Sequence, residues 1–164
     1  MPMRKNWIIL FTASFILIAL DLWFKQWAVA NLRGQPDITV IKGVLGLTYV
    51  ENPGALFGFL KNLEAARWIL SALKVVILGG LLWYYNRLPN DKRFWLVRVP
   101  MILIFAGGAG NLVDRVINEG KVRDMLDFLF MNFAVFNLAD VYVTVGVFCL
   151  IFVSLFIVKD IPLP

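Results

Sequence analysis

The sequence predicts an α-helical integral membrane protein, with four transmembrane helices and a small extracytoplasmic β-sheet between the first and second. Three observations lead there. The 164-residue chain is 60 % apolar and 16 % charged, with a mean hydropathy of +0.77, whereas soluble chains are about 45–50 % apolar and about 25 % charged. A single domain of this size keeps about a third of its surface wet, so it has no room to hide that much apolar side chain from water. Four apolar stretches are also long enough to cross a hydrocarbon core of about 30 Å, which takes roughly 20 helical residues.

The spans cover residues 7–24, 68–85, 94–113 and 137–158 of one membrane-embedded domain, residues 1–164. The first has no charge between Lys5 and Asp21; Lys74 lies inside the second, Arg98 near the start of the third and Asp140 near the start of the fourth. The basic start, the apolar run 8–20 and Ala28-Val29-Ala30 resemble a signal peptide, but Asp21, Trp23, Phe24, Lys25 and Trp27 are too bulky and charged for a cleavage region. Orientation follows from the basic residues beside the spans. Arg4, Lys5, Arg87, Lys92, Arg93, Arg98 and Lys159 occupy about 25 positions on the side of the termini, against eight Lys and Arg in about 66 positions over 25–67 and 114–136. Both termini are expected in the cytoplasm and the two longer loops outside.

The first outer segment contains β-branched and alternating runs, Ile38-Thr39-Val40-Ile41 and Gly46-Leu47-Thr48-Tyr49-Val50, separated by glycines, which read as an antiparallel hairpin at the membrane surface. The second, residues 114–136, mixes charges with Met125, Leu126, Phe128, Leu129, Phe130, Met131 and Phe133 and reads as a loop dipping into the interface.

The chain has no histidine and one cysteine, which excludes Ser-His and Cys-His pairs, His-ligated metals, cysteine clusters and an internal disulfide. Neither a cofactor nor a metal is expected. The net charge of +5 and pI near 9.6 come from basic residues at the ends of apolar segments, with no stripe suited to nucleic acid. What remains for chemistry is carboxylates, and ionisable groups within a membrane are functional candidates. Asp21, Asp124, Asp127 and Asp140 gather toward the outer side. Two carboxylates near enough to share a proton form an acid–base device able to activate water for peptide hydrolysis.

Short amide- and glycine-rich motifs surround these carboxylates: Glu51-Asn52-Pro53-Gly54-Ala55-Leu56-Phe57-Gly58, Gly107-Gly108-Ala109-Gly110-Asn111 followed by Asp114-Arg115, Val122-Arg123-Asp124, and Asn137-Leu138-Ala139-Asp140. In this order and spacing they closely resemble the lipoprotein signal peptidase (signal peptidase II) family, membrane aspartyl proteases of bacteria. The resemblance covers almost the whole chain. It implies that Asp124 and Asp140 are the catalytic pair and that Asp21, Lys25, Asn52, Gly54, Gly107, Asn111, Arg115, Asn137 and Ala139 support the site or bind substrate. The implied substrate is a diacylglyceryl prolipoprotein, cut before its lipobox cysteine, in the bacterial cytoplasmic membrane, with membrane lipid as the other partner and no nucleic acid. Three positions depart from the usual pattern: Arg123 and Met125 flank Asp124 where an apolar residue and Phe are common, the glycine motif has Gly108-Ala109, and Pro53 follows Asn52. Spacing from Gly120 selects Asp124, with Asp127 as the other possibility.

Structural readings stand beside these. Asp21 and Lys25 are one helical turn apart and suit an i,i+4 pair as well as a brace for the site. Asp114 reads as an ion pair with Arg115, Lys74 as a lysine snorkelling to the outer surface, and Cys149 as an inert apolar residue. The competing function is a small proton- or ion-coupled transporter, disfavoured because its polar path should lie near the midplane.

Overall fold

The computed structural model describes residues 3–54 and 64–157. Residues 55–58 of the Glu51 motif and Lys159 lie outside that range. The elements run α1 (Met3–Leu32), β1 (Ile38–Ile41), β2 (Leu45–Asn52), α2 (Glu64–Arg87), α3 (Trp95–Ile117), β3 (Val122–Phe128) and α4 (Leu138–Phe152). A single 3₁₀ turn, Lys92–Phe94, precedes α3, and a π turn, Val153–Ile157, continues α4. Among the described residues four helices are long and apolar enough to cross a membrane. A helix is the form that lets an apolar span satisfy every backbone hydrogen bond internally. Their outward faces are apolar: Phe15, Val76 and Phe148 are each at least 70 % exposed, as expected of side chains solvated by lipid. Cys149 is exposed on the same kind of surface.

α3 is the central helix and packs against the other three. Its closest approach is to α4 at Gly107, where a Cβ would lie 2.2 Å from the Ala139 carbonyl oxygen and 2.8 Å from Val143 Cγ2. Only glycine permits that distance, as small residues do generally at helix contacts in membranes. The contact sets Asn111, one turn further along α3, against the start of α4.

With 30 residues at about 1.5 Å each, α1 is about 45 Å long and overshoots a hydrocarbon core of about 30 Å. The surplus turns carry the sheet: Ala28 and Leu32 are buried with Met125, and Phe24, Trp27, Leu47, Tyr49 and Leu126 pack around them. At the opposite end of the bundle Leu10, Tyr85, Phe94, Val97 and Met101 form a second core cluster.

The sheet has three antiparallel strands in the order β1-β2-β3. The small sheet expected between the first two spans is present, and its third strand, β3, corrects the reading of residues 114–136 as a loop. Its register places Val50 opposite Asp124, Glu51 opposite Arg123 and Asn52 opposite Val122, with an irregularity between Leu47 and Val50. The far edge of β3 bonds to Phe136, whose carbonyl accepts from Met125 and Leu126 at 3.0 and 2.8 Å. β3 is thus held on both sides between β2 and the segment entering α4.

Candidate active site

The site is built where the sheet, α1, α3 and the start of α4 meet. α4 begins with a capping box: Asn137 Oδ1 accepts from the Asp140 backbone N–H at 3.0 Å, and Asp140 Oδ2 accepts from the Asn137 N–H at 3.3 Å. Such a cap satisfies helix N–H groups that have no partner within the helix. It also fixes the Asp140 carboxylate in the first turn, where the helix dipole favours negative charge.

The two amide side chains in the centre link Asp140 to Asp124. Asn111 Nδ2 donates to Asp140 Oδ1 at 2.8 Å, and Asn137 Nδ2 donates to Asn111 Oδ1 at 3.2 Å and to Asp124 Oδ1 at 2.6 Å. From the sheet, Asn52 Nδ2 donates to Asp124 Oδ2 at 2.9 Å while its Oδ1 accepts from the Gly54 N–H at 2.8 Å. Gly54 has φ +83°, and a Cβ there would sit 2.6 Å from both terminal nitrogens of Arg115. Glycine therefore serves both the turn and the close passage of a buried guanidinium.

Beneath the amides lies a buried charge cluster centred on Lys25, which is 0 % exposed. Its Nζ is 2.8 Å from Asp21 Oδ2, 3.4 Å from Asp114 Oδ2 and 3.1 Å from Asn111 Oδ1. Asp21 Oδ1 in turn accepts from the Ala139 N–H at 3.0 Å, tying α1 to α4. Asp114 also accepts from the Arg123 backbone N–H and from its Nε, both at 2.7 Å, and from its Nη2. The ion pairs expected between Asp114 and its neighbour Arg115 are therefore made with Lys25 and Arg123.

The eleven residues that the resemblance points to come together here from five elements, α1, β2, α3, β3 and the start of α4. Asp124 touches both asparagines. Asp127 pairs with Gly46, at the opposite end of β2 from Asn52. Reasoning from sequence missed Arg123 as the partner of Asp114. The available signal was a cation directly beside a candidate catalytic carboxylate.

Asp124 is 1 % exposed, and burial pushes its carboxyl up to about 6, with the charge of Asp140 adding to the rise and the amides of Asn52 and Asn137 and the charge of Lys25 opposing it. Asp140 is half-buried and lines a cavity of about 450 Å³ whose other walls include Asn52, Phe128, Phe133, Phe136, Val141 and Thr144. The polar side chains lining the cavity are Asn52, Asp140 and Thr144, and the rest of its wall is apolar. An extended apolar segment fits such a space, with a carbonyl presented to the carboxylates. Among the described residues no group of three or more Cys, Asp or Glu is arranged to hold a metal ion.

The family described as "Signal peptidase (SPase) II" matches residues 13–156. The chain belongs to the signal peptidase II family. Members of this family are aspartic peptidases, and this chain is accordingly a multi-pass bacterial membrane peptidase. Among its signal peptidase II relatives, a protein of Streptococcus thermophilus named "Lipoprotein signal peptidase" is 43 % identical over 86 % of this chain and 88 % of its own. One of the same name from Streptococcus agalactiae is 36 % identical over 90 % of this chain and 91 % of its own. A solved structure described as a bacterial membrane enzyme superposes with a TM-score of 0.76 at 26 % identity, covering 90 % of this chain and 93 % of that one. The transporter reading finds no support in these relatives or in the site as the described residues form it.

Proposed function

We propose that this signal peptidase II cuts diacylglyceryl prolipoproteins immediately before the lipobox cysteine, with Asp124 and Asp140 as a proton-sharing pair and water as nucleophile. The observation that carries the reading is the placement of Asp124: a buried carboxyl with raised proton affinity, held by Asn52 and Asn137 and linked through Asn111 to Asp140 at the polar end of an apolar cavity. Two carboxyls whose surroundings push their proton affinities apart divide into an acid and a base. Asp124 holds the shared proton; Asp140, nearer the opening, takes a proton from the water. The resulting hydroxide attacks the scissile carbonyl carbon while Asp124 gives its proton to the carbonyl oxygen, forming a neutral gem-diol. Return of a gem-diol proton to Asp124 and delivery of the Asp140 proton to the amide nitrogen break the C–N bond and release the two chains.

The names of the relatives support the lipoprotein substrate, and the apolar cavity walls suit a lipid-modified, hydrophobic cleavage segment. The density of Lys and Arg beside the spans supports cytoplasmic termini and a site near the outer face of the membrane. Membrane lipid is the other partner, in keeping with the four apolar helices.

The test is cleavage of a purified diacylglyceryl prolipoprotein in detergent, with and without chelator. General acid–base catalysis is worth about 10²–10⁴-fold and members of one catalytic unit fail together. Asp124→Asn, Asp140→Asn and the double variant are expected to be similarly inactive, with Asp127→Asn close to the parent and no effect of chelator. Full activity in either single variant removes the pair from the mechanism, and loss on chelation replaces it with a metal.

A further inference from the structure

We propose that Arg123 is a positioning residue for the aspartate pair: by neutralising Asp114 beneath β3, its guanidinium leaves Lys25 free to hold Asn111 and keeps the charge around Asp124 and Asp140 in balance. This rests on the reading of Asp124 and Asp140 as the catalytic pair, and it concerns a side chain at a position where the family pattern is apolar.

Arg123 is 4 % exposed and directly precedes Asp124 on β3. Its backbone N–H binds Asp114 Oδ2 while Nε and Nη2 bind Oδ1, so one carboxylate receives a two-pronged grip from a single residue. This joins the first turns of β3 to the last turns of α3. A tight turn makes the same connection in the backbone, with the Gly120 N–H on the Arg115 carbonyl at 2.7 Å and Glu119 at φ 51°. A side chain lacking the guanidinium would keep the backbone bond and lose the charge.

The consequence passes through Lys25. The charged groups facing this corner are Asp21 and Lys25 from α1, Lys74 from α2, Asp114 and Arg115 from α3, Glu51 from β2 with its partner Lys121, Asp124 from β3 and Asp140 from α4. Lys25 lies nearer Asp21 than Asp114, at 2.8 against 3.4 Å, and also donates to Asn111. That division is possible because Arg123 already compensates Asp114. Without Arg123, Asp114 becomes an under-compensated buried carboxylate, which is costly in a low dielectric, and the ammonium is the nearest group able to answer it. A shift of Lys25 toward Asp114 loosens its bond to Asn111 Oδ1, the amide that orients Asp140. Loss of a nearby positive charge also favours the protonated form of a carboxyl group.

The expected signature is a displaced pH profile. kcat/KM of the full-length protein is measured against pH on a diacylglyceryl prolipoprotein, per folded molecule as counted by thermal unfolding, for the parent, Arg123→Met, Arg123→Gln and Arg123→Lys. In Met and Gln variants both limbs of the profile are expected to move upward by roughly half a unit or more, with kcat falling by about tenfold and KM little changed. Gln keeps a donor for Asp114 and so covers the case in which Met fails to fold. Lys restores the charge and should return the limbs to the parent position. Limbs unmoved in Met and Gln, or moved equally in Lys, overturn the proposal and leave Arg123 a purely structural tie. Asp124→Asn measured alongside separates the two readings: an active Asp124→Asn sinks the catalytic pair itself, whereas an inactive one beside unmoved Arg123 limbs sinks only the role of Arg123.

Discussion

The two ends of the helical bundle both bury charge, and they satisfy it differently. At the end away from the sheet, Arg98 is 3 % exposed; it stacks on Tyr85 at 5.0 Å and donates to the backbone carbonyls of Leu88 and Pro89 at 2.9 and 3.3 Å. Asn6 joins it there, donating to Asn90 at 2.7 Å and accepting at its carbonyl from the Tyr85 hydroxyl at 2.9 Å. The partners are largely backbone atoms or an aromatic face, which keep their places whatever single side chain is changed. At the sheet end, Asp21, Lys25, Asn111, Asp114, Arg123, Asp124 and Asn137 are partnered mainly by one another. The first arrangement closes a helix terminus, whereas the second holds two carboxylates in a defined relation and is vulnerable at each member. Side-chain networks of this kind are worth more than the sum of their pairs when complete and fail together when one member is lost.

The largest effect expected from this contrast is at Lys25. Lys25→Met strands Asp21 without its cation and removes a donor from Asn111. Breaking a buried pair in this way costs about 3–5 kcal/mol, and thermal unfolding in detergent should show the loss, together with inactivity in whatever folds. Near-parental stability in Lys25→Met would mean that the cluster has another source of compensation.

An intermediate effect concerns pH. Asp124 takes up its proton at about pH 6 in the folded protein against 3.8 for an ordinary aspartate. A raised native value means that the folded form binds the proton more tightly. Its contribution is therefore fully present below about pH 4 and is lost as pH rises through about 6, an amount on the order of 3 kcal/mol. The difference in unfolding midpoint between pH 4 and pH 7 is expected to be larger in the parent than in Asp124→Asn; identical pH dependence in the two would place the titration elsewhere.

The smallest effect on chemistry should come from the opposite end. Arg98→Met removes two hydrogen bonds to carbonyls and a cation–π contact, costing about 1–3 kcal/mol. The folded fraction should retain the parent kcat and the parent pH profile. A displaced profile in Arg98→Met would show that the two ends are coupled through α3, and the contrast between them would fall.

Much of this site was legible because its residues sit in short motifs. Asn137 and Asp140 carry the spacing of a helix cap, Asp21 and Lys25 that of an i,i+4 pair, and Gly107 to Asn111 that of a close helix contact one turn below an amide. The cavity wall formed by Phe128, Phe133 and Phe136 was visible only as an apolar stretch, and β3 was not visible at all. Apolar residues fall at 122, 125, 126 and 128, which is not the alternation of a strand with one buried face.

The sequence by itself determined the four helices, because in hydrocarbon an apolar span of sufficient length must satisfy its own backbone, and that requirement is local. It also determined the glycines and caps, whose geometry is written within a few neighbouring residues. The tertiary structure alone decided that residues 122–128 form a strand, that Asn52 and Asn137 both reach Asp124, and that Asp114 is shared by Lys25 and Arg123. A strand exists only where another strand offers it an open edge, and a buried charge chooses its partner by distance through space. Both depend on where the overhanging end of α1 and the glycine contact between α3 and α4 bring distant segments of the chain together.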